Sequence, residues 1–180
     1  MNFDAVLAHV KGLGATHCQF VSPRLLVPEL RIRSYCFEDK CGCFNKHLMC
    51  PPNTGSVGEI KRKFEAFNEG IMIQYSQSLD VRTDQEGLRE AKLKLHNIIL
   101  GTERYLQEEA GVPIAFGMIG GDCTLCDQCA GYRGEPCLYP DRARPSLEAL
   151  AVDVIALLKG LNLDAEFYPD KITWTGMVLY

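Results

Sequence analysis

Three regularly spaced cysteines are the strongest chemical signal in this chain. Within residues 120–129, which read Gly-Gly-Asp-Cys-Thr-Leu-Cys-Asp-Gln-Cys, Cys123, Cys126 and Cys129 are each separated by two residues, and Cys137 follows eight positions later. Overlapping Cys-x-x-Cys spacing lets a short loop aim several thiolates at one inorganic cluster, as the loops of bacterial ferredoxins do. The pattern therefore predicts an iron–sulfur site with these four cysteines as its ligands.

Zinc is the main alternative for this loop, and plain thiols are a third interpretation. A tetrahedral zinc site prefers two Cys-x-x-Cys pairs, or one pair with histidines, separated by a longer spacer. Here the two pairs share Cys126, which fits zinc less well. In ferredoxins the fourth cysteine of such a run usually binds a different cluster, whereas we expect Cys137 to complete a single local site.

A further group of cysteines lies nearer the N-terminus, in a segment without helical or strand periodicity. Four of them fall within fifteen residues: Cys36, Cys41, Cys43 and Cys50. Pro51 and Pro52 favour an extended exit directly after Cys50, and a Cys-Pro step also ends cluster loops in ferredoxins. We therefore expect two [4Fe–4S] clusters in all, with zinc as the competing metal. His47 is an alternative ligand, although a lone loop histidine is more often a surface group.

Length and composition favour a single metal-binding domain over residues 1–180 in a reducing cytoplasm. A chain of 180 residues can bury a full core without disulfides, so its nine cysteines remain available to metal. The first residues lack a basic region followed by a long apolar run, so we expect no signal peptide, and no stretch approaches the roughly 20 apolar residues of a membrane span. A net charge of −4 argues against nucleic-acid binding. We expect neither a membrane nor a nucleic-acid partner.

The apolar pattern predicts helices that alternate with strands. Helices are expected over residues 3–10, after a capping box at Ser56 and Glu59, after a second box at Thr83 and Glu86, and from Ser146 to Leu161. Strands are expected over residues 16–20, 30–35, 71–77, 112–119 and 172–180. The strand at 112–119 is expected to be central and to lead directly into the loop that carries Cys123.

These elements indicate a compact two-layer α/β sandwich with a mixed sheet of four or five strands and two irregular cysteine-rich loops. Cys18 lies outside both loops and alternates with polar residues, so we interpret it as a small buried apolar residue rather than a ligand. Three arginines near the second group of cysteines either offset the charge of a thiolate cluster or are solvated: Arg133, Arg142 and Arg144.

The two cysteine groups together resemble a family of uncharacterised predicted metal-binding proteins that is common in anaerobic microbes. The resemblance covers most of the chain and rests on Cys36, Cys41, Cys50-Pro51-Pro52, residues 121–129, Pro136-Cys137, Pro140 and residues 144–149. It implies metal binding, with iron–sulfur as the expected form. The family pattern has an aromatic-Gly-Lys step where this chain has Phe44-Asn45-Lys46, and it requires no cysteine at position 43. The family has no established reaction.

The expected function is that of a small iron–sulfur protein that passes electrons, as a carrier or as a redox subunit, to a redox protein partner. An alternative is a redox enzyme in which a cluster iron lacks a fourth thiolate and binds substrate. The close spacing of Cys41 and Cys43 keeps this alternative open, since one of them can be a spectator. A third class is an interaction module stabilised by zinc.

Overall fold

The computed structural model describes residues 2–180, which form five α-helices and one four-stranded sheet. The helices are α1 (Phe3–Gly12), α2 (Leu30–Phe37), α3 (Val57–Glu65), α4 (Gln85–Glu108) and α5 (Val154–Gly160). The strands are β1 (His17–Val21), β2 (Gly70–Ser78), β3 (Phe116–Met118) and β4 (Lys171–Leu179). The predicted α/β class is confirmed, as are the helix at the N-terminus and the strands β1, β2 and β4.

The strands pair in the order β1-β2-β4-β3, and every pair is antiparallel. The sheet is therefore antiparallel rather than mixed. Alternate residues of β2 point to opposite faces, so Ile71 and Ile73 pack with α1 and α4, whereas Met72 packs with α3 and α5. Because helices cover both faces, the fold has three layers rather than the expected two.

Polar caps fix where the long helices begin. The capping box at the start of α3 is confirmed, since the Ser56 hydroxyl accepts from the Glu59 amide and the Glu59 carboxylate accepts from the Ser56 amide. The predicted box before α4 is wrong by one residue. Asp84, not Thr83, caps that helix, because its carboxylate accepts from the amide of Gly87 at 2.8 Å.

Residues 30–35 form the helix α2, not the predicted strand. Two alternating apolar residues are too few to distinguish the two periodicities. Leu30 is 68% exposed, whereas Arg33 is buried and donates to the carbonyl oxygens of Gly55 at 3.1 Å and Ala149 at 3.0 Å. These polar contacts anchor α2, and a hydrophobic pattern does not reveal them.

The predicted strand over residues 112–119 shortens to β3 and lies at the edge of the sheet, so the expectation of a central strand is wrong. Pro113 lacks an amide donor and suits an edge or a loop. Beyond β3 the chain leaves β4, and the amide of Ile119 donates to the carbonyl oxygen of Pro145 at 3.0 Å. The second cysteine loop therefore starts at a sheet edge.

The single helix predicted from Ser146 to Leu161 is divided in two. The Ser146 hydroxyl accepts from the amide of Ala149 at 3.0 Å, within a short 3₁₀ turn over Glu148–Leu150. Ala151 then adopts a left-handed conformation with φ of 63°, and α5 begins after a new cap at Asp153. The break lets the carbonyl oxygen of Ala151 accept from the amide of Glu29 at 2.8 Å.

Candidate metal centre

The second cysteine loop begins with a tight turn that two glycines make possible. Gly121 has φ of 68°, a conformation that favours glycine. At Gly120 a Cβ atom would lie 2.8 Å from the carbonyl oxygen of Thr175 in β4. The Gly120–Gly121 step thus lets the backbone pass close to the sheet and turn outward into the cysteine-bearing residues.

The structure brings the four cysteines of this loop to one small cavity. All four are partly buried: Cys123, Cys126, Cys129 and Cys137. Apolar side chains that include Leu125 and Leu138 line the same cavity, as does Met49 from the first loop. Within residues 2–180, no three His, Cys, Asp or Glu side chains are close enough to hold one metal ion as they stand. The thiols surround a shared space rather than meeting at a point.

The thiols of the second loop influence one another electrostatically. Burial raises the pKa of Cys123, and nearby Cys137 and Cys126 raise it further, while backbone amides of Leu125 and Arg144 partly offset this. Burial also raises the pKa of Cys126, and Cys129 and Cys137 act in the same direction. Thiolates gathered in this way repel one another, and a bound metal cation relieves that repulsion.

The cysteines of the first loop influence one another electrostatically as well. Cys36 lies in the last turn of α2, and the other three lie in the irregular segment that follows. Burial raises the pKa of Cys50 to about 12, and the charges of Cys43, Cys41 and Cys36 contribute in the same direction. Cys41 is exposed, whereas the other three are partly buried.

Local polar contacts shape the first loop. The carboxylate of Asp39 accepts from the amide of Phe44 at 2.8 Å, and the amide of Asn45 donates to the carbonyl oxygen of Pro51 at 2.8 Å. Asn45 is left-handed, with φ of 56°. Glycine and asparagine adopt this conformation most readily, which explains how asparagine replaces the glycine of the family's aromatic-Gly-Lys step.

His47 joins the two loops. It is only 5% exposed, so the expectation of a surface histidine is wrong. Its Nδ1 accepts from the amide of Met49 at 3.3 Å, which leaves Nε2 to donate to the carbonyl oxygen of Cys123 at 2.9 Å. Both ring nitrogens are therefore engaged with backbone groups. The role of His47 in this structure is to hold the loops together rather than to present a ligand.

Further contacts between the loops reach the cysteine sulfurs directly. The amide of Leu48 donates to Cys129 Sγ at 3.5 Å, and the Tyr132 hydroxyl donates to the carbonyl oxygen of Gly42 at 2.9 Å and lies 3.8 Å from Cys43 Sγ. Sequence reasoning missed Leu48 and Tyr132, because neither residue type signals such a role. Each loop thus donates a hydrogen bond to the other, and the one from Leu48 goes to a cysteine sulfur.

Charged groups around the cysteines are mostly paired. Lys92 of α4 binds Asp122 at 2.7 Å, and Asp122 lies near enough to the first loop to raise the pKa of Cys43 and Cys50. Among the arginines singled out from the sequence, Arg133 pairs with Glu135 at 2.7 Å and Arg144 with Glu103 at 2.9 Å. Arg133 also lowers the pKa of Cys126, so it partly offsets thiolate charge.

Cys18 lies apart from both loops, in the core between β1 and the helices α1 and α4. Its side chain is buried, and Sγ lies 3.7 Å from the carbonyl oxygen of Leu7. The interpretation of Cys18 as a small buried residue is confirmed. All nine cysteines are free thiols in the structure.

The fold and the two cysteine loops define this chain as an α/β protein with a candidate metal centre at one edge of its sheet. A family model described as Predicted metal-binding protein (DUF2284) matches residues 19–180, and the chain belongs to this family. The family resemblance stated from the sequence is thereby confirmed, and metal binding is the property the family supports. No curated protein and no solved structure matches the chain. Across residues 2–180, none of the helices has the length and apolar character needed to cross a bilayer.

Proposed function

We propose that this chain holds two [4Fe–4S] clusters and transfers electrons between redox protein partners. The first cluster would be held by the cysteines of the first loop: Cys36, Cys41, Cys43 and Cys50. The second would be held by those of the second loop: Cys123, Cys126, Cys129 and Cys137. The observation that carries this proposal is that two loops with four cysteines each are joined by hydrogen bonds, with the four thiols of the second loop lining one cavity.

The donor set fits iron–sulfur chemistry. Clusters of this type are held by cysteine thiolates, and their potentials depend on hydrogen bonds to sulfur and on solvent exposure. Both influences are present here, because Leu48 donates to Cys129 Sγ and apolar side chains line the cavity of the second loop. Zinc remains the competing metal, although the overlapping spacing around Cys126 fits it less well.

Electron transfer, rather than chemistry at the metal, follows from the number of thiols. When bound, a cluster with four thiolate ligands supplies one-electron redox chemistry and offers no open iron position. The protein's own contribution is to hold both loops against each other through His47, Leu48 and Tyr132. These contacts favour a short path between two cofactors, which suits a protein that accepts an electron at one site and releases it from the other.

The proposal is tested by removing one thiol from each group. Cys126→Ser should lower the iron content of anaerobically purified protein by roughly four atoms per chain and reduce its melting temperature, because cluster binding is coupled to folding. Cys36→Ser should likewise remove roughly four iron atoms per chain, those of the first cluster. Cys18→Ala is the matched control, since Cys18 lies in the core outside both loops and its variant should retain all the iron.

Unchanged iron content in both loop variants would contradict the proposal. Loss of iron from Cys18→Ala, measured as a decrease in visible absorbance per chain, would contradict the assignment of four cysteines to each cluster with Cys18 as a non-ligand.

A further inference from the structure

A large cleft opens beside the first cysteine loop, on the part of the sheet face that α3 and α5 leave uncovered. Its volume is about 650 Å³, within the range of roughly 300 to 1,000 Å³ that small-molecule sites occupy. Gln74 of β2 and Thr175 of β4 line it, and their side chains hydrogen-bond to each other at 3.1 Å. Cys36 and Cys41 also line the cleft. A molecule bound there would therefore lie next to the first group of cysteines.

The walls of this cleft are rich in aromatic and aliphatic surface. Tyr35, Phe167 and Tyr168 line the cleft and are 63%, 88% and 40% exposed. Exposed aromatic side chains in a concave site favour a planar apolar ligand, because rings stack on one another and bury large areas. Ile155 on the first turn of α5 adds aliphatic contact.

The charge of the cleft is negative. Five carboxylates and two lysines line it, and each lysine already pairs with one of those carboxylates: Lys40 with Glu38 at 2.7 Å and Lys171 with Asp164 at 3.6 Å. Within residues 2–180, Glu148 and Glu166 form no salt bridge.

We propose that this cleft is a binding site for a planar aromatic cation, which it holds beside the first cysteine loop. The ring system stacks on the aromatic walls, and the positive charge meets the carboxylates that have no lysine partner. This inference goes beyond the proposed electron transfer. It depends on the shape and charge of the cleft and not on which metal the cysteines bind.

The test is calorimetric titration of the anaerobically purified full chain with two planar three-ring dyes. Phenosafranin is a phenazinium cation, and anthraquinone-2,6-disulfonate is an anion of similar ring size. We expect phenosafranin to bind at least tenfold more tightly than the anion. Glu166→Gln should weaken phenosafranin binding about threefold, in keeping with one exposed charge pair, whereas Glu65→Gln on the outer face of α3 should leave it unchanged.

A second pair of variants tests the location. Ile155→Arg places bulk and positive charge in the cleft and should weaken phenosafranin binding at least tenfold, while Ile114→Arg, an exposed position outside the cleft, should not. Equal affinity for the two dyes would overturn the proposal. An equal loss of phenosafranin affinity in the cleft variants and their controls would overturn it as well. Since dye binding is measured whatever metal is bound, its failure is distinguishable from failure of the iron–sulfur assignment.

Discussion

Cys43 is the residue that decides whether the first metal site is closed or open. The family pattern requires no cysteine at this position, yet the Cys43 thiol is the first of the three whose charge raises the pKa of Cys50. The hydroxyl of Tyr132 lies 3.8 Å from Cys43 Sγ, on the side that faces the second loop. Under the proposed function, Cys43 is the ligand that completes a closed site.

The Cys43→Ala variant distinguishes two hypotheses, namely that the protein is an electron carrier and that it is an enzyme. If Cys43 is a ligand, the variant purified without oxygen should lose the first cluster or convert it to a three-iron species, because one iron loses its thiolate. Iron analysis and electron paramagnetic resonance measure the change. An unaltered signal of the first cluster would show that Cys43 is a spectator and would favour a cluster with an open iron position.

At the residue scale, the second group of cysteines indicated by the spacing lines one cavity, whereas several contacts around both loops were not predicted. The spacing of cysteines indicated both groups, and alternation with polar residues correctly indicated a buried Cys18. The role of His47 was missed, because its burial depends on packing against the carbonyl oxygen of Cys123, 76 positions away in the sequence. Long-range backbone contacts of this kind have no periodic signature.

The two loops act as one structural element, and the contact between Gly131 and Lys46 shows how tightly they pack. A Cβ atom at Gly131 would clash with the carbonyl oxygen of Lys46 and lie 2.9 Å from Cγ of Leu48. The Leu48 amide is the donor to Cys129 Sγ. The absence of a side chain at Gly131 therefore keeps this hydrogen bond in place.

We predict that Gly131→Ala destabilises the protein by about 2 kcal/mol, as overpacking of a closely packed contact does. Thermal denaturation measures the loss, and the redox potential of the proposed second cluster should shift because the hydrogen bond to Cys129 weakens. Gly12→Ala is the matched control. Gly12 ends α1 with nothing within 4 Å of an added Cβ, so its variant should be as stable as the wild type or slightly more so. Equal stability of the Gly131→Ala and Gly12→Ala variants would contradict the close packing of the two loops.

Errors in predicting elements occurred where polar groups override apolar periodicity. The α2 segment was predicted as a strand because Leu30 and Ile32 alternate, but the buried residue there is Arg33, held by two carbonyl oxygens. The predicted helix after Ser146 divides because Asp153 starts a new helix and Ala151 turns left-handed to meet Glu29. Long elements such as α4 and β2 were predicted correctly, since many residues contribute to their patterns.

At the scale of the whole molecule, the sheet and its covering helices form a scaffold with both cysteine loops at one side. The scaffold class was predictable from alternating helices and strands, whereas strand order and the second covering layer depend on contacts between distant segments. The short β3 is an example, because its edge position follows from pairing with β4 and not from its own apolar residues. The cleft beside Cys36 likewise exists only in the assembled fold.

The central claim is that the eight loop cysteines hold two iron–sulfur clusters, and the most direct test is the metal and sulfide content of the purified protein. Protein prepared without oxygen is analysed for iron, zinc and acid-labile sulfide per chain. Two cubane clusters predict about eight irons and about eight sulfides, with no stoichiometric zinc. One or two zinc ions per chain without acid-labile sulfide would contradict the account and identify the loops as zinc sites.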